Sequence, residues 1–338
     1  MPTIKEIAKA CNVSVATVSN IINHKGSVGD ATRERVEQVI REMNYTPNYV
    51  AKNLKTKNTR SIGVIAEDMT VFALPDIIDG ITEYCEEEDY QILLVNLRLY
   101  KKFQDKYYRD NRHKEIVRQE IQKLLAKQVE GIIYVAAHER LINIIPEDLP
   151  IPTVVAYGFT GSEKIPSVVV KDIKGAYDLV SYIVSKGHKK IGVIAGKKES
   201  IHTQSRLEGY QKALFEGGIL YDPDMITYGD WDRQSGYDNT DLLLEKGATA
   251  IFCMNDFMAG GTYDRLEELG LHAGKDIREM ACYEKPPLTT MALPLHDIGY
   301  KACQIIIGIL KKEEVKLDKG NCYVECIPCI RESVNQVK

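Results

Sequence analysis

The sequence predicts a small all-α unit followed by a larger α/β unit made of two parallel-sheet lobes. Residues 3–43 hold three stretches with apolar residues at helical spacing. From residue 61 onward, short apolar runs alternate with amphipathic helical segments, which is typical of parallel sheets covered by helices. Charge divides in the same place, because residues 1–60 carry ten Lys and Arg against five Asp and Glu, and the remainder carries 34 against 43. The basic footprint expected of a nucleic-acid binder is therefore confined to the first unit.

Two helices joined by a tight turn are predicted over residues 3–23. Thr3 is a good N-cap for the first helix, which ends before Asn12, and Ser14 is the N-cap of the second. The second helix has one apolar face and one small, polar face, as a helix-turn-helix needs in the DNA major groove; a helical hairpin with a Ser/Thr-rich surface is the alternative. The residues expected at DNA bases or phosphates are Thr3, Ser14, Val15, Ala16, Thr17, Ser19, Asn20 and Asn23.

A third helix is expected over residues 31–43, with Asp30 as its cap, and it completes a headpiece of residues 1–46. Residues 47–60 are polar and basic, and their simplest interpretation is an interdomain linker. Asn48 could instead cap a short helix within this segment. Residues 61–338 then form the core.

The core contains two similar sets of strand and helix segments joined near residues 157–166, which predicts two lobes with a ligand cleft. We expect lobe 1 to span about 61–158 plus 293–318, and lobe 2 to span about 159–292 plus 319–336. Ligands of open α/β sheets bind beyond the carboxyl ends of the strands. The strand-end residues expected at a ligand are Phe72, Tyr157, Trp231, Asn255, Asp256 and Glu284.

Carboxylates and an amide beside an aromatic ring would suit a polyhydroxylated sugar, because the polar atoms hold hydroxyls while the ring covers a C–H face. The same residues also have plainer interpretations. Asn255 and Asp256 could simply cap the next helix, and Trp231 could be ordinary core.

Other chemistry finds little support. The Cys322-x-x-x-Cys326-x-x-Cys329 spacing resembles that of an iron–sulfur site, but it falls in a strand predicted over residues 322–330, which cannot turn three thiolates onto one cluster. Because no catalytic, phosphate-binding or metal motif appears, we expect no enzyme, no cofactor and no metal. The eight cysteines indicate reduced thiols in the cytoplasm. Because the sequence has no long apolar run, we expect neither secretion nor membrane insertion. A small-molecule-binding protein without regulatory output and a sugar-processing enzyme stay open as alternatives.

The first helices resemble the lactose-repressor (LacI/GalR) family, whose N-terminal pattern reads close to T-I-x-x-[IV]-A-x-x-x-x-V-S-x-x-T-V-S-x-x-[IL]-N. The sequence fits it at Thr3, Ile4, Ile7, Ala8, Val13, Ser14, Thr17, Val18, Ser19 and Asn23. It departs at Asn20, where most members carry Arg, and a different base preference follows because Arg prefers guanine and Asn prefers adenine. Family-like segments continue through the core at residues 61–65, 129–133, 186–191, 206–210, 250–256 and 331–333.

The resemblance implies a periplasmic-binding-protein-like core and a ligand-responsive transcription regulator. We therefore expect a cytoplasmic repressor that binds operator DNA as a homodimer and responds to a small effector, a sugar or sugar derivative. The resemblance also implies a hinge helix within residues 47–60, capped at Asn48, in which Ala51 permits close approach and Leu54 enters a minor-groove base step. It places Arg206 at the effector, although a structural ion pair is the plainer interpretation of that residue.

Overall fold

The computed structural model describes residues 2–22, 25–45, 59–104, 112–271 and 288–337. Five of the assigned residues lie outside these ranges, namely Asn23, Asn48, Ala51, Leu54 and Glu284. Nearly all of the predicted hinge lies outside them as well. The chain divides into two compact units, residues 1–59 and residues 60–338. Each unit has its own hydrophobic core.

The described helices are α1 (Ile4–Ala10), α2 (Val15–Ile22), α3 (Asp30–Glu42), α4 (Leu74–Glu87), α5 (Leu99–Phe103), α6 (Lys114–Ala126), α7 (Asp172–Ser185), α8 (Ile201–Glu216), α9 (Arg233–Glu245), α10 (Asp256–Glu268) and α11 (Leu295–Lys311). The described strands are β1 (Ser61–Ala66), β2 (Gln91–Asn96), β3 (Gly131–Val135), β4 (Thr153–Ala156), β5 (Ser167–Val170), β6 (Ile191–Ala195), β7 (Ile226–Tyr228), β8 (Ala250–Cys253), β9 (Thr290–Ala292), β10 (Asn321–Val324) and β11 (Ile327–Cys329). Among these helices, none is both long enough and apolar enough to span a lipid bilayer.

The first unit is a three-helix cluster whose ends are fixed by side-chain caps. Thr3 and Glu6 form a capping box at the start of α1, in which the Thr3 backbone N–H donates to Glu6 Oε2 at 2.7 Å. Asn12 adopts a positive φ of 50° in the turn, and Ser14 Oγ accepts from the Thr17 N–H at 3.0 Å to cap α2. Three apolar side chains from α1 and its turn, two from α2 and one from α3 form the buried core: Ile7, Ala8, Cys11, Val18, Ile21 and Val36.

The third helix begins one residue earlier than the sequence predicts. Gly29, rather than Asp30, occupies the N-cap position, and no side chain caps the helix there. Asp30 lies in the first turn, where a carboxylate is stabilised by the positive end of the helix dipole. The sequence therefore correctly places Asp30 at the start of the helix, but the prediction that Asp30 is the N-cap is wrong.

The second unit is built on a parallel six-stranded sheet in the order β10-β5-β4-β3-β1-β2 and a parallel three-stranded sheet in the order β7-β6-β8. Helices α4 and α11 cover one face of the larger sheet, and α6 covers the other. The smaller sheet packs in a separate core with α7, α8, α9 and α10. This is the two-lobed, parallel-sheet architecture that the sequence predicts.

The border between the lobes differs from the predicted one. Strands β5 and β10 had been assigned to lobe 2, but both lie in the sheet of lobe 1, where Cys322 pairs with Val168. The predicted strand over residues 322–330 is also wrong, because β10 and β11 belong to different sheets: β11 pairs antiparallel with β9. Residues 325 and 326 lie between these two strands, so the chain changes lobes there, as it also does between β5 and α7. A pattern of alternating residues cannot reveal such a change of sheet.

Candidate functional site

The outer face of α2 presents the side chains that the sequence assigns to DNA. Val15, at 42% exposure, and Ala16 and Asn20 are exposed, whereas Thr17 and Ser19 are half-buried. Ser14 is exposed, but its hydroxyl is already engaged with Thr17, both through the cap and through Thr17 Oγ1 at 2.9 Å. Thr3 likewise uses its hydroxyl in the capping box. Val15, Ala16 and Asn20 are therefore exposed on α2, whereas the hydroxyls of Thr3 and Ser14 also cap the helices.

In the second unit, a buried ion pair lies where β5 ends and α7 begins. Arg206 Nε donates to Asp172 Oδ1 at 2.7 Å, and His202 Nδ1 lies 2.5 Å from Asp172 Oδ2. Burial opposes ionisation of Asp172, but the positive charge of Arg206 and the His202 hydrogen bond outweigh it and hold the Asp172 pKa at about 2. Arg206 also donates to the Met254 carbonyl at the end of β8. Arg206 of α8 thus contacts residues that follow two different strands, Asp172 after β5 and Met254 after β8.

Glu139 lies beside this pair, in the loop that follows β3. Its Oε2 accepts from the Val170 N–H at 2.9 Å, at the end of β5. Burial, helped by the nearby Asp172 carboxylate and opposed by His202, the Val170 N–H and Arg206, raises the Glu139 pKa to about 7. Glu139, Asp172 and His202 each bring a ligand atom to within 4.8 Å of the others, a spacing that a divalent cation could use. Arg206 already supplies a positive charge to Asp172, so no cation is needed to balance that carboxylate.

A second buried ion pair fixes the loop that carries Glu139. Arg140 forms a two-pronged contact with Glu67, with distances of 3.0 Å and 2.5 Å. Glu67 also accepts from the Tyr134 hydroxyl at 2.6 Å and from the Ala137 N–H at 2.8 Å. Burial opposes ionisation of Glu67, yet Arg140 and these hydrogen bonds lower its pKa. The residue that follows Glu139 in the chain is thereby anchored to the end of β1.

Two aromatic residues flank His202. The ring of Tyr157 lies 6.4 Å from that of His202, and the ring of Trp231 meets it edge-on at 6.5 Å. The Arg206 guanidinium lies 5.8 Å from the Trp231 ring centre. Tyr157 and Trp231 both adopt positive φ, at 59° and 67°, a strained conformation for large side chains that is concentrated at functional sites. Gly196 makes room for the indole, because a Cβ there would lie 2.0 Å from it.

A cavity of about 270 Å³ lies against this cluster. Four of the residues assigned to the effector line it together: Phe72, Arg206, Asn255 and Asp256. Much of the remaining wall is apolar and comes from Leu179, Phe252, Met254, Phe257, Met291 and Leu293. Phe72 and Phe257 are 62% and 67% exposed, so they border the cavity rather than fill its interior. Tyr157 and Trp231 are not part of this wall but adjoin it through His202 and Arg206.

The capping interpretation is correct for Asn255, whereas Asp256 is the first residue of α10 and does not cap it. Asn255 caps α10 by accepting from the Met258 N–H at 2.8 Å, and it donates to the Trp231 carbonyl at 2.8 Å. Asp256 Oδ1 accepts from the Thr290 hydroxyl at 3.1 Å. A residue that lines the cavity can thus serve the fold as well.

Sequence reasoning missed Glu139, Asp172 and His202 as site residues. Asp172 directly follows the residue after β5, and Glu139 follows β3 by four positions, so the strand-end rule could have included both. His202 precedes Arg206 by four positions on α8, which places both side chains on one helical face. The missing information was that β5 belongs to lobe 1 and ends beside α8 of lobe 2.

Comparisons with known proteins agree with this arrangement. Residues 3–48 match the bacterial regulatory proteins of the lacI family, and residues 59–320 match the periplasmic binding proteins and sugar binding domain of the LacI family. The chain is 31% identical to the HTH-type transcriptional repressor PurR of Vibrio atlanticus over 93% of each chain, and 28% identical to the ribose operon repressor of Haemophilus influenzae over the full length of both.

Among solved structures, the lac repressor dimer bound to operator and the anti-inducer ONPF matches with a TM-score of 0.75 and 25% identity, covering 99% of each chain. These relatives are transcriptional repressors and not enzymes. The headpiece and the lobed core are both accounted for by one family, and the two matches together span most of the sequence. The chain belongs to the lacI family of bacterial regulatory proteins, and it is a DNA-binding transcription regulator with an effector-binding core.

Proposed function

We propose that this regulator is a cytoplasmic repressor that binds its operator as a homodimer and changes its operator affinity when a small effector enters the cavity beside Arg206. The observation that carries the proposal is the cavity itself, which brings Phe72 of lobe 1 together with Arg206, Asn255 and Asp256 of lobe 2. A ligand that contacts both lobes favours one relative arrangement of them, and that preference is what an allosteric effector requires. The dimer is supported by the dimeric, operator-bound lac repressor that the chain resembles.

The contacts around Arg206 support an effector with several oxygen acceptors. Asp172 has a partner on each oxygen, so it serves to hold Arg206 and His202 in place. Arg206 uses two of its N–H groups, on Asp172 and Met254, and a guanidinium offers five. The remaining donors suit hydroxyl or ring oxygens, and Phe72 or Phe257 suits the C–H face of a sugar ring. We therefore propose a sugar or sugar derivative, in keeping with the sugar binding domain that residues 59–320 match.

On the DNA side, we propose that Val15, Ala16 and Asn20 read base edges and that Ser14, Thr17 and Ser19 contact phosphates. Asn can form a two-pronged contact with adenine, and short hydroxyl side chains at a helix start are common phosphate partners. Thr3 and the exposed Lys5 add to the phosphate-facing surface of α1. We further propose that residues 47–60, with Asn48, Ala51 and Leu54, form the hinge between the headpiece of residues 1–46 and the core, and that Asn23 and Glu284 complete the DNA and effector sites.

A paired measurement tests the proposal. Operator fragments would first be selected from random DNA with the effector-free protein, and a thermal-shift screen of sugars and sugar phosphates would identify an effector. Arg206→Ala is then expected to abolish the effector-dependent change in operator affinity while leaving effector-free binding close to wild type.

The matched control is Arg233→Ala, since Arg233 pairs with Asp264 in the same lobe outside the cavity wall. A double variant, Asp172→Asn with Arg206→Gln, removes the ion pair without leaving a buried charge and guards against simple unfolding. A normal effector response in the folded Arg206 variants would place the effector site elsewhere.

A further inference from the structure

Helices α4 and α11, which cover lobe 1, approach each other unusually closely. A Cβ on Gly80 of α4 would lie 2.0 Å from the His296 carbonyl oxygen, and a Cβ on Gly299 of α11 would lie 1.9 Å from the Ile77 carbonyl oxygen. Only glycine fits at these two positions, because the backbones themselves are in contact. Side chains that face each other further along the pair are therefore held at short range.

Two cysteines face each other across this pair. Cys85 Sγ and Cys303 Sγ lie 3.3 Å apart, and the two residues are 218 positions apart in the sequence. Both side chains are buried, with exposures of 1% or less. The two sulfurs share one hydrogen bond, which lowers the pKa of Cys85 and raises that of Cys303. Either thiol can be the donor in that contact, so a thiolate formed at one sulfur is stabilised by the S–H of the other.

The other five described cysteines have different surroundings, and one of them, Cys326, lines the cavity. Cys11 lies in the core of the first unit, and the sulfur of Cys253 contacts the Thr262 hydroxyl at 3.6 Å. Cys322 is half-buried in β10, and its pKa is raised by burial. Cys329 donates to the Ile327 carbonyl at 3.8 Å. These residues serve as internal references for any chemistry specific to the Cys85–Cys303 pair.

We propose that Cys85 and Cys303 are a site of reversible oxidation, at which a hydroperoxide such as hydrogen peroxide converts the two thiols into an intramolecular disulfide. The Cys85 thiolate attacks one peroxide oxygen, the O–O bond breaks, and sulfenic acid and hydroxide form; the hydroxide is protonated to water. Cys303, on losing its proton, then attacks the Cys85 sulfur, and hydroxide leaves and takes up that proton as a second water. Two thiols are oxidised by two electrons in total, and one peroxide is reduced to two waters.

The geometry suits this bond without rearrangement of the fold. A disulfide brings its sulfurs to about 2.05 Å, so the present separation must close by roughly 1.2 Å, which side-chain rotation and small helix shifts can supply. Because both sulfurs are buried, peroxide reaches them through local opening of the helix pair, and the rate depends on that opening as well as on the thiolate fraction. Once formed, the bond ties together two helices that are distant in sequence and restricts the unfolded chain.

The experiment treats the full-length protein under native conditions with hydrogen peroxide, quenches with an alkylating agent, and maps peptides by mass spectrometry. We expect a linked peptide pair containing Cys85 and Cys303, loss of two hydrogen atoms from the intact mass, and recovery of both thiols with dithiothreitol. The oxidised protein should unfold several degrees higher than the reduced protein, because a long loop has been closed.

Control variants distinguish the pair from other thiols. Cys322→Ser should form the same link and show the same thermal shift, whereas Cys85→Ala and Cys303→Ala should show neither, with circular dichroism confirming that each is folded. The proposal is overturned if the folded wild type gives no Cys85–Cys303 link while Cys322 or Cys329 is oxidised. It is equally overturned if the link forms only after denaturation, or if the oxidised protein unfolds at a lower temperature than the reduced one.

Discussion

The face of α2 and the cavity cluster of the core place functional side chains in opposite settings. On α2, Val15, Ala16 and Asn20 are exposed, and the helix is held by its Ser14 N-cap and a small core. In the cavity cluster of Glu139, Asp172, His202 and Arg206, Asp172 is buried, Arg206 is half-buried, and the two are already joined by an ion pair. The exposed face of α2 can therefore be altered residue by residue, whereas the residues beside the cavity must be altered together. Four predictions test this contrast.

The largest effect is expected from breaking the buried ion pair. Arg206→Ala leaves the Asp172 carboxylate buried without its cation, so the free energy of unfolding should fall by about 3 to 5 kcal/mol. Arg233→Ala removes a pair whose side chains are 54% and 42% exposed, and should cost about 0 to 1 kcal/mol. Urea unfolding of both variants measures the difference. Equal decreases in the free energy of unfolding would show that the Asp172–Arg206 pair contributes no more to stability than a surface pair.

The second effect concerns pH, through Glu139. Its pKa is raised in the folded state from 4.5 to about 7, so the folded protein holds this proton more tightly than the unfolded chain does. Stability from this group is therefore fully present below pH 4.5 and is lost as the pH rises through about 7, a change of about 3 kcal/mol.

Glu139→Gln mimics the protonated side chain and should remove this part of the pH dependence. Urea unfolding of both proteins between pH 5 and pH 8.5, values chosen roughly to bracket the folded-state pKa, provides the measurement. The variant should be the more stable protein at the alkaline end. Parallel pH profiles for the two proteins would mean that Glu139 stays ionised when buried.

The third prediction concerns DNA sequence preference. Asn20→Arg should change the selected half-site at one base pair, by roughly 1 to 3 kcal/mol, because the two side chains favour different bases. The exposed position allows this change with little effect on the stability of the first unit. Binding-site selection with both proteins measures it, and an unchanged motif would remove Asn20 from base readout.

The smallest effect separates capping from DNA contact at Ser14. Ser14→Ala loses the cap on α2 and should cost about 1 kcal/mol of stability. Ser14→Asp keeps a capping oxygen but places a negative charge near phosphates, so it should restore stability while weakening binding to all DNA sequences alike. If the Asp variant binds DNA like wild type, Ser14 is a cap and not a phosphate contact.

The two regions also differed in how far the sequence could predict them. The helices of the first unit were predicted to within one or two residues, since caps such as Thr3 and Ser14 act over three or four positions. In the core, Asn255 and Asp256 were correctly expected just beyond a strand, because they follow the clear apolar run that forms β8. Glu139 and Asp172 were missed because their proximity depends on β5 joining the sheet of lobe 1, a long-range pairing that no local pattern encodes.

The composition of the two sheets has a consequence for the order in which the chain folds. The three-stranded sheet is drawn from residues 191–253, so lobe 2 can begin to form as soon as that stretch has left the ribosome. The six-stranded sheet begins with β1 but receives β10 from residues 321–324, and its covering helix α11 comes from residues 295–311. Pairings that distant in sequence form slowly, because a long loop must close before any contact stabilises it. During synthesis, lobe 1 should therefore wait with an exposed β5 edge and an uncovered α4, and this interval is when the nascent chain would most need a chaperone.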